Sequence, residues 1–242
     1  AHIPLILKTN GPGKMSKRDE GALIEYYQRN HYLPAAIRNY IALLGWNPKD
    51  DKEILPLDEL IERFDFDGIN KGNARFDERK MNYINGEYVR ALPTETFAWL
   101  CAPVLKEAGL IDEKTDEDYL QRVLALCQEK VNAIKDIPDY TAYFFTDDFP
   151  TNEKARAKVF KKGDPTARIH ELLPALESTD DFSEQNLEHI INHLAQEHGT
   201  KTGEYIHAAR LATSGRTIGP SFYALLSTLG KERVCKRLRE FS

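Results

Sequence analysis

Apolar residues recur every three to four positions along most of this chain, the spacing of α-helices that bury one face. Leu23, Ile24 and Tyr27 share a face and predict a first helix. Pro34 sits at a first-turn position of a second, whose stripe is Ile37, Tyr40, Ile41 and Leu44, with Gly45 after its end. Residues 57–64 predict a third, broken by Gly68 to Gly72. Phe76 to Arg90 reads as a short helix, a turn at Asn85-Gly86, and a helix or extended exit. From Pro93 the pattern is almost wholly helical. Stripes fall at 94–107 (Phe97, Leu100, Cys101, Val104, Leu105, closed by Gly109) and at 116–131 (Leu120, Val123, Leu124, Cys127, Val131). Further helices are predicted at 139–146 and 151–162, and after the polar break Ser178 to Asp181, where Leu187, Ile190, Ile191 and Leu194 line one face. One more spans 203–213, stopped by Gly215. Pro220 starts the next, with Phe222, Leu225, Leu226 and Leu229 inside, and the last runs from Lys231 to about Phe241. Only the beginning departs: Ile3-Pro4-Leu5-Ile6-Leu7 is a short apolar run that fits a buried strand end. The fold class is mainly α.

At 242 residues the chain is long enough for two domains. With 41% hydrophobic and 29% charged residues it reads as a soluble globular protein. No stretch approaches the roughly 18 apolar residues a membrane span needs, and no signal peptide is visible. Cys101, Cys127 and Cys235 lie far apart in apolar helical patterns, without metal-ligand spacing. Core thiols in a reducing cytoplasm are expected. The net charge of −5 argues against wholesale nucleic-acid binding, yet phosphate contact depends on local patches. The first residue is Ala1 and the chain opens inside an apolar run, so a piece of a longer protein is expected.

The stretch with the most distinctive chemistry is Gly11-Pro12-Gly13-Lys14-Met15-Ser16-Lys17-Arg18. Two glycines and a proline make a loop, and three of its last five residues are cationic. Between a strand and a helix, such a loop suits a polyphosphate. Its glycines permit close backbone approach, and two ammonium groups can follow growing anionic charge. A solvated basic turn is the plain alternative. Two other basic elements stand out. In Phe76 to Arg90, Arg79, Lys80 and Arg90 are placed to reach RNA phosphates, unless this is ordinary helix packing. The most basic helix carries Lys154, Arg156, Lys158, Lys161 and Lys162, which a solvated face explains equally well. Tyr140, Tyr143, Phe144 and Phe145 read as core.

Lys14-Met15-Ser16-Lys17-Arg18 resembles the KMSK signature of class I aminoacyl-tRNA synthetases. The whole chain resembles the C-terminal half of bacterial-type glutamyl-tRNA synthetases. The resemblance rests on that loop, on Leu33 to Tyr40 with Leu43 to Trp46, and on Phe76-Asp77 through Asn85-Gly86. It extends to Tyr143-Phe144-Phe145 and Leu229 to Arg233. It implies that residues 1–92 are the end of the catalytic domain plus a stem-contact region. Two helical anticodon-binding domains, 93–177 and 178–242, would then form an α-helical cage.

The family joins glutamate to tRNA(Glu) using ATP and Mg²⁺, and the resemblance implies tRNA(Glu) as partner and a monomer. Glutamate and the nucleotide core belong to an N-terminal half with a His-x-Gly-His signature. No such signature occurs in this sequence. By resemblance Lys14 and Lys17 contact ATP, Lys17 foremost, with Met15 and Ser16 shaping the loop and Arg18 supporting it. Lys130 stands where the family often presents an arginine to the last anticodon base. A lysine lacks the bidentate fork of arginine, which bears on discrimination between tRNA(Glu) and tRNA(Gln). Arg210 matches an arginine that reads the first anticodon base, and Gly219-Pro220 falls where backbone groups meet the same base. Arg210 also suits a plain helix C-terminal charge. A stand-alone tRNA-binding module and an all-helical scaffold remain the competing readings. No membrane partner is expected.

Overall fold

A computed structural model describes residues 4–241. Ala1, His2 and Ile3, the start of the apolar run, lie outside the described residues. The chain forms two compact units. The first holds the residues up to Val104 together with Val131–Ile137; the second holds Leu105–Lys130 and everything from Pro138 on. Thirteen α-helices and two short strands are found among the described residues.

In the first unit, β1 (Ile6–Leu7) lies far in sequence from its parallel partner. The helices α1 (Ile24–Arg29), α2 (Pro34–Leu43) and α3 (Leu57–Arg63) intervene before β2 (Ala74–Arg75). Ile6 pairs with Ala74 and Leu7 with Arg75. Then follow α4 (Glu78–Arg90) and α5 (Thr94–Glu107), within which the division between units falls. Tyr27, Ile37, Tyr40, Phe76, Met81 and Ile84 form the main core of this unit. Trp46, Leu55 and Leu60 form a smaller one.

Two buried asparagines pin these helices to loops. The Asn39 amide donates to Glu53 O (2.9 Å), while its Oδ1 accepts from Leu55 N–H (2.8 Å) and Tyr88 Oη–H (3.1 Å). Asn85 Oδ1 accepts from Leu33 N–H (2.9 Å), and its amide donates to Asn132 O (2.5 Å). A buried amide with all its groups engaged adds specificity without an orphan's penalty.

Three expectations are corrected here. Asn85-Gly86 is no turn: α4 runs unbroken through it, started by Asp77, whose side chain accepts from Arg79 and Lys80 N–H. The glycine answers to packing, since a Cβ on Gly86 would lie 2.4 Å from Asn132 Oδ1. The apolar run does form a strand, but it is not buried: Ile6 is 38% exposed and β1 gains a neighbour only along its edge, from β2. Pro220 does not start a helix. The next one begins at Phe222, after a connection that holds Gly219 and Pro220.

The second unit is built from α6 (Glu117–Gln128), α7 (Ile137–Phe145), α8 (Glu153–Lys162), α9 (Pro165–Ser178), α10 (Glu184–Glu197), α11 (Thr202–Ser214), α12 (Phe222–Leu229) and α13 (Lys231–Glu240). The apolar stripe left α9 without an element of its own; the structure starts it with an Asp164 cap on Ala167 N–H and Pro165 in the first turn. Val123, Cys127, Phe144, Ile169, Leu172, Leu187, Ile191, Tyr205 and Leu225 share one core. Ala208, Ala209 and Ala212 give α11 a small-residue face, buried in that same core. Gly215, at φ 68°, ends α11 in the left-handed conformation open to glycine. All three cysteines are free and buried, as expected of core thiols.

Candidate functional site

The basic loop is a tight, braced structure. Gly11 and Gly13 take φ values of 88° and 106°, which only glycine adopts without strain. They let the chain double back so that Lys8 N–H donates to Gly13 O (3.2 Å) and Met15 N–H to Ile6 O (2.8 Å), with Lys14 bridged to Leu7. From β2, the Arg75 guanidinium donates to Lys8 O (2.6 Å) and Gly11 O (3.3 Å). Thr9 Oγ1–H donates to Phe76 O (2.9 Å).

Asp19 closes the other side. Its Oδ2 accepts from Ser16 N–H (2.7 Å) and Ser16 Oγ–H (3.0 Å), and its Oδ1 pairs with Lys8 Nζ at 2.9 Å. The Lys8 ammonium first, then the Ser16 amide and hydroxyl, hold the Asp19 carboxyl below its usual range. Asp19 N–H donates back to Ser16 O (3.0 Å), which puts Lys17 and Arg18 at the corner of a closed turn. Lys14, Lys17 and Arg18 are exposed, while Met15 and Ser16 are half-buried. Beside the loop opens a groove of about 770 Å³, lined by Lys14, Lys17 and the apolar side chains of Leu5, Ile6, Leu23 and Ile24. The loop therefore offers free ammonium groups on a backbone that is already fixed.

The second unit buries two arginines among the described residues, and they differ in how their donors are satisfied. Arg237 is 4% exposed and well satisfied. It donates to Asp147 Oδ1 (2.7 Å), Thr213 O (2.7 Å) and Thr146 O (3.0 Å), and stacks 4.6 Å over Phe149. Arg210 is 8% exposed, yet its Nη1 has no hydrogen-bond partner. It lies 5.4 Å over the Phe222 ring. Burial lowers its pKa, with Tyr143 and Tyr140 opposing. A buried donor left unmade costs the full desolvation of that group. The free Nη1 faces Gly219, where a Cβ would come within 2.9 Å of it.

The structure thus brings Arg210 and Gly219 together, with Pro220 buried next in the chain. Lys130 belongs to the same unit but lies exposed in the turn after α6, outside any helix. Among the described residues no hydrogen bond, ion pair or cation–π contact links its side chain to Arg210. Of the basic residues around α4, Lys80 pairs with Glu53 (2.7 Å) and Arg90 with Glu87 (2.6 Å), which leaves Arg79 the exposed one. Sequence reasoning passed over Asp19, Arg75 and Phe222. Asp19 had a local signal, a carboxylate three residues after Ser16 that can close a turn. Arg75 and Phe222 had none, since their partners come from other elements. Among the described residues, no group of three His, Cys, Asp or Glu side chains is placed to hold a metal, and no helix is long and apolar enough to cross a membrane.

Comparison with known proteins adds an independent line. A profile described as an anticodon binding domain matches residues 95–242, and one described as tRNA synthetases class I (E and Q), catalytic domain, matches residues 1–83. A glutamate–tRNA ligase of Methylacidiphilum infernorum is 41% identical over 98% of this chain and 53% of its own length. One from Thermus thermophilus is 35% identical over 98% of this chain and 50% of its own. The crystal structure of a glutamate tRNA ligase from Elizabethkingia meningosepticum superposes with a TM-score of 0.82 at 30% identity. That match covers all of this chain and 50% of the other. The chain spans about half the length of the curated relatives it matches.

Proposed function

The chain belongs to the glutamyl-tRNA synthetase family of class I aminoacyl-tRNA synthetases, and from that premise we propose that it is the C-terminal, tRNA-binding half of a glutamate–tRNA ligase. In this reading the second unit reads the anticodon of tRNA(Glu), and the loop at Lys14–Arg18 supplies phosphate contacts to an ATP held mainly by the other half. The observation that carries the reading is the buried Arg210 with its free Nη1. A fold keeps a charged donor buried and unpaired when something else completes it. A guanidinium backed by an aromatic ring and opened by a glycine suits the acceptor edge of an unstacked base.

The loop chemistry follows from its brace. Attack of a glutamate carboxylate on the α-phosphorus of ATP expels pyrophosphate, and negative charge grows on the leaving oxygens. Lys14 and Lys17 would meet that charge from a backbone fixed by Asp19 and Arg75, so little reorganisation accompanies the step. Ser16 and Met15 hold the turn, and Arg18 adds positive potential. Mg²⁺ would neutralise phosphate charge and would arrive with the nucleotide; among the described residues no group of three His, Cys, Asp or Glu side chains is placed to hold it. The apolar groove beside the loop gives this half a surface on which the rest of an active site can close. Lys130 is assigned to the last anticodon base as a point charge, and Gly219 and Pro220 to the base that meets Arg210.

The test is equilibrium binding of the chain to tRNA(Glu) and to the same tRNA with single anticodon changes. Arg210→Ala is expected to cost about 1–3 kcal/mol and to relax selection at one base. Lys130→Ala should weaken binding evenly across the variants. Equal loss for every anticodon with Arg210→Ala would remove its reading role. The isolated chain should not glutamylate tRNA, because it carries no His-x-Gly-His motif.

A further inference from the structure

The most basic helix is unused by that reading. Five cationic residues fall within α8, and its packing face is Ala155 and Val159. Arg156 lies 5.4 Å over the Phe160 ring. Lys154 and Lys158 are exposed and one helical turn apart, and neither forms an ion pair among the described residues. Like charges at this spacing repel, and an anion between them would relieve that.

They line one wall of an open cleft of about 610 Å³, opposite the connection between α11 and α12. Arg216 and Ile218 come from that connection, and Tyr140 and Thr151 complete the wall. The one carboxylate in the lining, Asp139, is already paired with Arg216 at 2.8 Å, so the cleft keeps an excess of positive charge. Ile218 is 81% exposed, a large aliphatic side chain standing at the rim. Its neighbour is Gly219, whose bare Cα opens onto Arg210 Nη1. Desolvation first, then the charges of Lys162, Arg210 and Lys158, lower the His207 pKa.

The cleft ends at Ile218, which precedes in the chain the glycine that faces the buried guanidinium. It combines a phosphate-seeking wall with an apolar rim, the two surfaces a single strand of nucleic acid needs. The side chains of Lys154 and Lys158 start about 5–6 Å apart, close enough to serve neighbouring phosphates of one strand.

We infer that this cleft seats two successive phosphodiesters of the RNA strand whose base meets Arg210, with Lys154 and Lys158 on the phosphates and Ile218 against a flanking base. The inference rests on the tRNA-binding reading above and adds a backbone track to it. The track carries no sequence information, so it contributes affinity and salt dependence, while Arg210 contributes selection.

The experiment measures binding of the full chain to tRNA(Glu) and one anticodon variant across salt concentrations. The chains compared are the unaltered one, Lys154→Ala/Lys158→Ala, and a charge-matched control, Lys106→Ala/Lys114→Ala, whose exposed lysines lie away from the cleft. Alanine favours a helix, so α8 is expected to keep its fold, which a thermal melt verifies. Removing two single-strand phosphate contacts should lower the slope of log K against log salt by about 1.4. At low salt the affinity should fall about tenfold or more, with the ratio between the two tRNAs retained. Ile218→Ser should weaken binding several-fold at an unchanged slope. A slope in the double variant equal to that of the control overturns the cleft and leaves the anticodon reading standing. Absence of salt-dependent tRNA binding by the unaltered chain overturns both.

Discussion

Replacing Arg210 by methionine should separate folding from binding. Methionine keeps a long unbranched stem and removes every donor. In the RNA-free chain Arg210 is 8% exposed with Nη1 unpartnered, and burial already disfavours its charge. Relief of one unmade buried donor is worth about 1–3 kcal/mol. Against this stands the loss of the Phe222 stack, about 0.5–2 kcal/mol for a cation over a ring in a partly desolvated site. The balance lies between about 1 kcal/mol against the variant and about 2.5 kcal/mol in its favour. At about 2–4 °C per kcal/mol for a unit of this size, its melting temperature should fall by no more than about 4 °C and can rise by up to about 10 °C. Binding to tRNA(Glu) should meanwhile fall by about tenfold or more, with selection lost at one anticodon base. Calorimetry of the free chain and titration with tRNA(Glu) measure the two effects separately. A melting temperature lower by more than about 4 °C would mean that Arg210 is a structural charge after all. Undiminished binding would mean that its free donor has no RNA partner.

Three further outcomes follow from the geometry. Gly86→Ala places a Cβ 2.4 Å from Asn132 Oδ1, and should cost about 1–2 kcal/mol in urea unfolding despite alanine's better helix propensity. Adding Asn132→Ala should recover most of that loss. Asp147 is held at about 2 by Lys236 and then Arg237, so its contribution is complete above about pH 4 and is lost as pH falls toward 2. Asp147→Asn should cost about 1–2 kcal/mol at neutral pH and flatten the acid limb of the stability curve. The cost is less than for a fully buried pair, since Asp147 is 41% exposed and Arg237 keeps Thr213 and Thr146. With this chain joined to the N-terminal half of a relative, Lys17→Ala should slow glutamate activation on the order of 10²-fold and leave tRNA affinity within twofold. An unchanged pyrophosphate-exchange rate would remove Lys17 from the phosphate site.

Periodicity made most of the helices legible, because a buried stripe writes itself into the sequence at every turn. What it hid depended on partners from elsewhere. Asn85-Gly86 has the composition of a turn, and only the approach of Asn132 explains a glycine in mid-helix. Ile24 and Ile41 continue apolar stripes yet stand exposed, since a stripe records affinity for a cover and not its presence in the unit. The loop at Lys14 was legible as a loop from its glycines. Its brace was half legible, as Asp19 is local and Arg75 is not. Nothing local in the sequence distinguishes Arg210 from Arg237. Both lie on helices, and the count of satisfied donors separates them: Arg237 is held within the fold, whereas Arg210 keeps a free Nη1.

The return of the chain to its first unit at Val131–Ile137 bears on how the protein is made. Asn132 closes on Asn85 and Arg90 only after the 28 residues from Leu105 to Asn132 have followed Val104. At about 5–20 residues per second, a ribosome needs roughly 1.4–5.6 s to deliver them. During that interval Gly86 faces an empty slot on α4, and Asn85 has one of its two hydrogen bonds. The nascent first unit is thus held incomplete while α6 of the second emerges, and the two must mature in an interleaved order and not one after the other.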